Sequence, residues 1–179
     1  MRDVLNMLII VEGAKYSGKS TLCAQLAKQL GCKVIHFPTD SVVGKTAMTL
    51  LNSGEYAEAQ NMMRLDIDNT LAKLDPTQNW VLDRSFISNA IYRDGDIVLY
   101  DRYLNILDES MLIILLCNDE TLFTRMKMRT MKPSSEVEVA RLTWSNARFK
   151  QLATQLEAQE LAIDRSFFPR IGNYVLANH

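Results

Sequence analysis

The sequence predicts an α/β fold: a parallel sheet covered by helices on both faces. Three observations predict it. Short apolar runs of three to seven residues recur along the chain, too continuous for strands with one wet face. Longer stretches with helical spacing separate them, which is the pattern of a doubly covered sheet. The length of 179 residues, with 47% hydrophobic and 23% charged side chains, suits one globular domain with a sizeable core.

The first strand falls at residues 7–11, Met7-Leu8-Ile9-Ile10-Val11. A helix follows over 19–30 and stops at Gly31. The second strand, 33–37, ends at Pro38, which disfavours further regular structure. A short helix follows Gly44, and a longer one spans about 55–74, closed by Asp75-Pro76. Trp80-Val81-Leu82 form the third strand, ending at Asp83, with helical segments to about residue 108. The fourth strand, 111–117, is the most apolar. A helix over about 120–130 is broken by Lys132-Pro133-Ser134. Ser135 and Glu138 then form a capping box that opens a helix running to about 160. Residues 161–163 read as a fifth, edge strand, with a short helix after Pro169.

Between the first strand and first helix, residues 13–21 read Gly-Ala-Lys-Tyr-Ser-Gly-Lys-Ser-Thr. This is G-x-x-x-x-G-K-[ST], in the strand–helix context its mechanism needs. Gly13, Ala14, Lys15, Tyr16, Ser17, Gly18, Lys19, Ser20 and Thr21 therefore read as a loop that wraps nucleotide phosphates. Backbone N–H groups and the helix dipole favour an anion there. Lys19 would reach the β- and γ-phosphates, and the Ser20 hydroxyl would ligate Mg²⁺. Tyr16 either stacks on a base or covers the loop.

In open parallel sheets ligands bind at the carboxyl ends of the strands, so residues 13–20, 38–40 and 83–88 should converge. Asp83 suits the metal and Arg84 suits bidentate phosphate contact; capping a helix is the other use of Asp83 or Ser85. Arg125 and Arg129 share a helix face and begin a basic segment, a lid over about 125–148. Arg141 and Arg148 either complete a basic ring or are surface charges.

Several classes are excluded. A net charge of −1 offers no global field for duplex nucleic acid and leaves room only for a local basic groove. The longest apolar run is far short of a membrane span, and no signal-peptide pattern precedes it. Cys23, Cys32 and Cys117 lie in or beside apolar segments, as buried reduced thiols of a cytoplasmic protein do. Asp66-Ile67-Asp68-Asn69 lacks the glycine and glutamate of a calcium loop and reads as a polar helix face. His36 and His179 cannot build a zinc site; His36 reads as packing or capping, with an acceptor contact as the alternative. The nine methionines, including Met62, Met63, Met126, Met128 and Met131, read as core filling.

These residues resemble thymidylate kinase, within the P-loop nucleotide kinases. The resemblance rests on Ile10-Val11-Glu12-Gly13 leading into Gly18-Lys19-Ser20-Thr21, and on Phe37-Pro38 followed by Gly44-Lys45. It rests also on Asp83-Arg84 with Ser88, Ala90 and Tyr92, and on Arg125 and Arg129 at the start of the lid. It implies a five-stranded sheet of order 2-3-1-4-5 and Mg²⁺- and ATP-dependent phosphorylation of a deoxynucleoside monophosphate. It also implies a homodimer, and acceptor contacts from Phe37, Arg64, Arg84 and Ser88. Three places depart from the family. Lys15 stands where an aspartate is usual, Thr39 and Asp40 where an arginine follows Phe-Pro, and Gln60 where an aromatic residue stacks on the acceptor base. Two alternatives stand beside this reading. One is a deoxynucleoside or polynucleotide hydroxyl kinase with Asp40 as base. The other is a nucleotide-binding module without catalysis.

Overall fold

The computed structural model describes residues 6–163 and 167–177. The elements, in chain order, are β1 (Leu8–Gly13), α1 (Lys19–Leu30), β2 (Lys33–His36), α2 (Val42–Asn52), α3 (Tyr56–Leu71) and β3 (Trp80–Asp83). They continue with α4 (Phe86–Ile91), α5 (Asp101–Asp108), β4 (Ser110–Leu116), α6 (Asp119–Thr130), α7 (Glu136–Gln155), β5 (Gln159–Glu160) and β6 (Gly172–Ala177). Every strand pairing is parallel, and the order is β2-β3-β1-β4-β6-β5.

Alternate residues of the central strands feed two cores. Ile9, Val11, Val81, Met111, Ile113 and Leu115 pack against Leu22, Cys23 and Leu26 of α1. Ile10, Leu82, Leu112 and Ile114 pack with Phe86, Ile87, Ile91, Tyr103, Leu122 and Phe149 on the opposite face. The sheet is thus buried on both sides, as its unbroken apolar strands require. Among the described residues no helix is long and apolar enough to cross a membrane.

The sheet has six strands where five were expected, and the difference lies after α7. That helix ends at Gln155, short of residue 160, because Glu157 takes a left-handed φ of 50° and the Ala158 N–H returns to the Ala153 carbonyl at 3.0 Å. The edge strand is Gln159–Glu160, rather than 161–163. Residues expected as a terminal helix after Pro169 form β6, which lies along β4 from Met111↔Gly172 to Leu116↔Ala177. The physical reason is on both strands. β4 is buried along nearly its whole length and must have its backbone paired on both sides, and Tyr174-Val175-Leu176 favours a pleated surface over a helix. His179 lies outside the described residues.

One local cluster shapes the ground beside the site. Asp66 is buried on α3, contrary to its reading as part of a polar helix face. Its carboxylate accepts from the Thr39 N–H at 2.7 Å, the Thr39 hydroxyl at 2.6 Å and the Ser41 hydroxyl at 2.8 Å. Gly44 packs into this knot, and a Cβ there would collide with the Thr39 carbonyl oxygen and crowd Asp66 Oδ2. Gly44→Ala is therefore expected to cost about 1–3 kcal/mol through overpacking. Denaturant unfolding checks this; an unmoved midpoint would show that the loop yields without strain.

Candidate functional site

The site forms where β1, β2 and β3 end. Gly13 closes β1 with φ 147°, and a Cβ there would lie 2.7 Å from the Leu115 carbonyl oxygen, so only glycine lets the chain turn beside β4. The loop then runs into α1. Lys19 is buried, and its ammonium donates to the Ala14 carbonyl at 2.8 Å. Burial, reinforced by the neighbouring Arg84, pushes its pKa down to about 7, although Glu12 and Asp83 act the other way.

Ser20 and Asp83 meet: the Ser20 hydroxyl donates to Asp83 Oδ2 at 2.8 Å. A hydroxyl and a carboxylate side by side form a hard oxygen donor set, and that fits Mg²⁺. Among the described residues there is no cluster of three or more His, Cys, Asp or Glu for a metal. Ser20 and Asp83 alone would therefore be the protein's oxygens for such an ion, a set that leaves further positions for other ligands. Helix capping falls to Ser85, whose hydroxyl accepts from the Ile87 N–H.

Arg84 follows in a left-handed conformation, φ 74°. Burial works against its charge, but Tyr92, Glu12 and Asp83 more than offset that and hold its pKa above the ordinary value. Its guanidinium donates to the Ser88 hydroxyl at 3.3 Å. Ser88 in turn donates to Glu12 at 2.6 Å, and Ser85 donates to Glu12 at 2.8 Å. Glu12 is fully buried; desolvation raises its pKa, opposed by Ser88, Arg84, Ser85 and Lys19. This carboxylate carries the arginine's support, and sequence reasoning gave it no role beyond the family's opening segment.

Three cavities meet here in a row. The middle one, about 240 Å³, is lined by loop residues with His36, Asp83, Arg84 and Arg129. Lys15, Tyr16, Phe37 and Arg84 also line a second, about 550 Å³, which runs between α2, α3, α4 and α7. Its walls include Met48, Met63, Tyr92 and Ser88, with Gln60 and Asn89 joined by a 2.6 Å hydrogen bond from Asn89 to the Gln60 side chain. Tyr16, Gly18, Thr21 and Arg129 link the middle cavity to a third, about 680 Å³, bounded by Gln25, Arg125, Met128 and Leu176. Lys15, Lys19, Arg84 and Arg129 line the middle cavity together with the single carboxylate Asp83, so the charge arrangement favours anions there.

Not every expected residue comes to these cavities. Asp40 is exposed and lines none of the three. Arg64 also lies outside their walls, with Tyr100 and Asn61 at 3.5 Å. Arg125 does reach the 680 Å³ cavity, and it donates to the Tyr16 carbonyl at 3.2 Å. Arg141 lines the 550 Å³ cavity and lies over the Tyr56 ring, whereas Arg148 ties down the Ile91, Arg93 and Gly95 carbonyls. The core-filling reading of the methionines needs correction: Met63 lines a cavity, and Met128 and Met131 are exposed on α6 and at its cap. His36, for which the sequence leaves packing, capping or an acceptor contact open, lines the middle cavity, and its ring reaches Asp83 at 2.9 Å.

The AAA domain family matches residues 9–142. Deoxyadenosine kinase from M. mycoides with bound dATP is similar in structure, at 20% identity and TM-score 0.57, over 83% of this chain and 85% of that one. Thymidylate kinase from Candida albicans is similar at 20% identity and TM-score 0.56, over 84% and 77%. Shikimate kinase from Bacteroides thetaiotaomicron is similar at 14% identity and TM-score 0.52, over 84% and 98%. No curated protein matches by sequence. The shared architecture is the P-loop kinase fold.

Proposed function

From the premise that this chain belongs to the AAA domain family and has the P-loop kinase fold, we propose that it is an ATP-dependent phosphotransferase acting on a (deoxy)nucleoside monophosphate. The donor nucleotide lies in the 680 Å³ cleft with its phosphates on the loop, and the acceptor lies in the 550 Å³ cavity. Ser20 and Asp83 would hold Mg²⁺, which when bound would supply charge neutralisation.

The observation that carries the choice of acceptor is the boundary between the two cavities. That boundary is the 240 Å³ middle cavity: Lys15 and Arg84 line both it and the 550 Å³ cavity, and Arg141 stands further along the acceptor wall. Among the described residues Glu138 is the one carboxylate lining that cavity. A phosphorylated acceptor needs cations between two anions; a hydroxyl acceptor gains from a base within hydrogen-bond reach. Asp40, the candidate base, is not on this wall. An acceptor phosphate oxygen attacks the γ-phosphorus in line, the bond to the β–γ bridging oxygen breaks, and ADP leaves. No covalent intermediate on the protein is required. Lys19, Arg84 and Arg129 hold the charges in place, and positioning carries the rate.

Single-turnover transfer from ATP in magnesium buffer tests this against nucleoside monophosphates, nucleosides, 5′-hydroxyl oligonucleotides and shikimate. Transfer to a monophosphate is expected. Transfer to a nucleoside or a 5′-hydroxyl end, lost in Asp40→Asn, would overturn it. Tight ATP binding with no transfer to any acceptor would point to a binding module instead.

A further inference from the structure

His36 closes β2, and Asp83 closes β3; the two positions are paired directly in the parallel register. Asp83 is nearly buried while the His36 side chain is 61% exposed, so the ring stands at the open side of the carboxylate. Two side-chain bonds reach Asp83 from the described residues, both to Oδ2: the Ser20 hydroxyl at 2.8 Å and His36 Nδ1 at 2.9 Å. An ionised carboxylate only accepts, so Nδ1 carries the proton of this bond. A Ser20 hydroxyl that ligates a cation with its oxygen can turn its proton elsewhere. The imidazole bond is then the side-chain constraint that keeps Oδ2 in place.

We propose that His36 is a positioning residue for Asp83, and that the affinity of the nucleotide's divalent ion depends on it. The inference rests on the nucleotide-site reading above and adds to it a residue from β2. The logic is that of partners around metal ligands: they orient the ligand without touching the ion, and their loss costs about 10–100-fold in metal affinity.

Calorimetry of ATP binding to the full chain, with EDTA and with Mg²⁺, tests this in wild type, His36→Ala and His36→Asn. His36→Ala should reduce the magnesium-dependent gain in ATP affinity about 10-fold and leave metal-free ATP affinity unchanged. His36→Asn, whose amide N–H can still donate to Oδ2, should restore most of the gain. In an Asp83→Ala background His36→Ala should have no further effect, as expected of residues that act as one unit. Thermal melts confirm that each variant is folded. An unchanged magnesium gain in His36→Ala would overturn the proposal, as would equal loss with and without the metal. So would failure of asparagine to rescue, which would make the imidazole itself the ligand. Wild-type protein that binds ATP with no magnesium gain overturns this inference alone; wild-type protein that binds no ATP overturns the nucleotide-site reading beneath it.

Discussion

Lys19→Ala is expected to lower turnover by about 10²–10³-fold and to leave the protein folded. The argument is electrostatic. Lys19 is buried at the mouth of the phosphate loop, anchored at 2.8 Å to the Ala14 carbonyl and pressed by Arg84. A cation kept desolvated in that position interacts strongly with charge that moves from the γ-phosphoryl to the leaving oxygen. It needs little reorganisation when the reaction occurs. Truncation also removes a buried charge whose own solvation cost the fold something, so the melting temperature should not fall. Single-turnover kinetics beside a thermal melt separate the two effects. Full turnover in a folded Lys19→Ala protein would remove this loop from the chemistry.

Legibility from sequence followed locality. The β1–loop–α1 unit was readable because strand, turn and helix are contiguous, and Gly13, Gly18 and Lys19 stand at fixed offsets. The Ser20–Asp83 contact was readable because carboxyl ends of parallel strands converge. What local pattern could not show was pairing across long separations. β6 exists because β4 needs a neighbour; Tyr174-Val175-Leu176 carries a local β preference, but the pairing that selects it lies about sixty residues away along the chain. Similarly, Asp66 and Asp40 are both acidic residues near the end of β2 in space. Only the fold shows that Asp66 is consumed by Thr39 and Ser41 while Asp40 faces solvent. The His36–Asp83 pair had a usable signal, since both residues end neighbouring strands, but the register had to be known first.

Arg84→Lys is expected to lower kcat/KM for the acceptor by about 10²-fold while ATP affinity stays nearly constant. The substitution keeps the charge and removes the planar fork, so it isolates geometry from Coulomb attraction. Two charge-assisted hydrogen bonds replaced by one moving ammonium make a loss of this size reasonable. The structure has invested in the orientation of this side chain. Its backbone is left-handed, φ 74°, a conformation that costs a non-glycine residue on the order of 1 kcal/mol. The Arg84 N–H is fixed to the Val11 carbonyl at 3.1 Å, and its guanidinium is held by Ser88, itself anchored to buried Glu12. Strain of that kind persists where the surroundings over-determine a functional geometry. Because Arg84 lines both the 550 Å³ cavity, proposed to take the acceptor, and the 240 Å³ cavity beside the loop, the loss of its fork should fall on the acceptor's transition state rather than on ground-state ATP. Steady-state kinetics with the acceptor varied, paired with calorimetric ATP affinity, read the two separately. Parallel loss in both would move Arg84 to the donor side; wild-type acceptor kinetics in Arg84→Lys would show that charge alone suffices at that boundary.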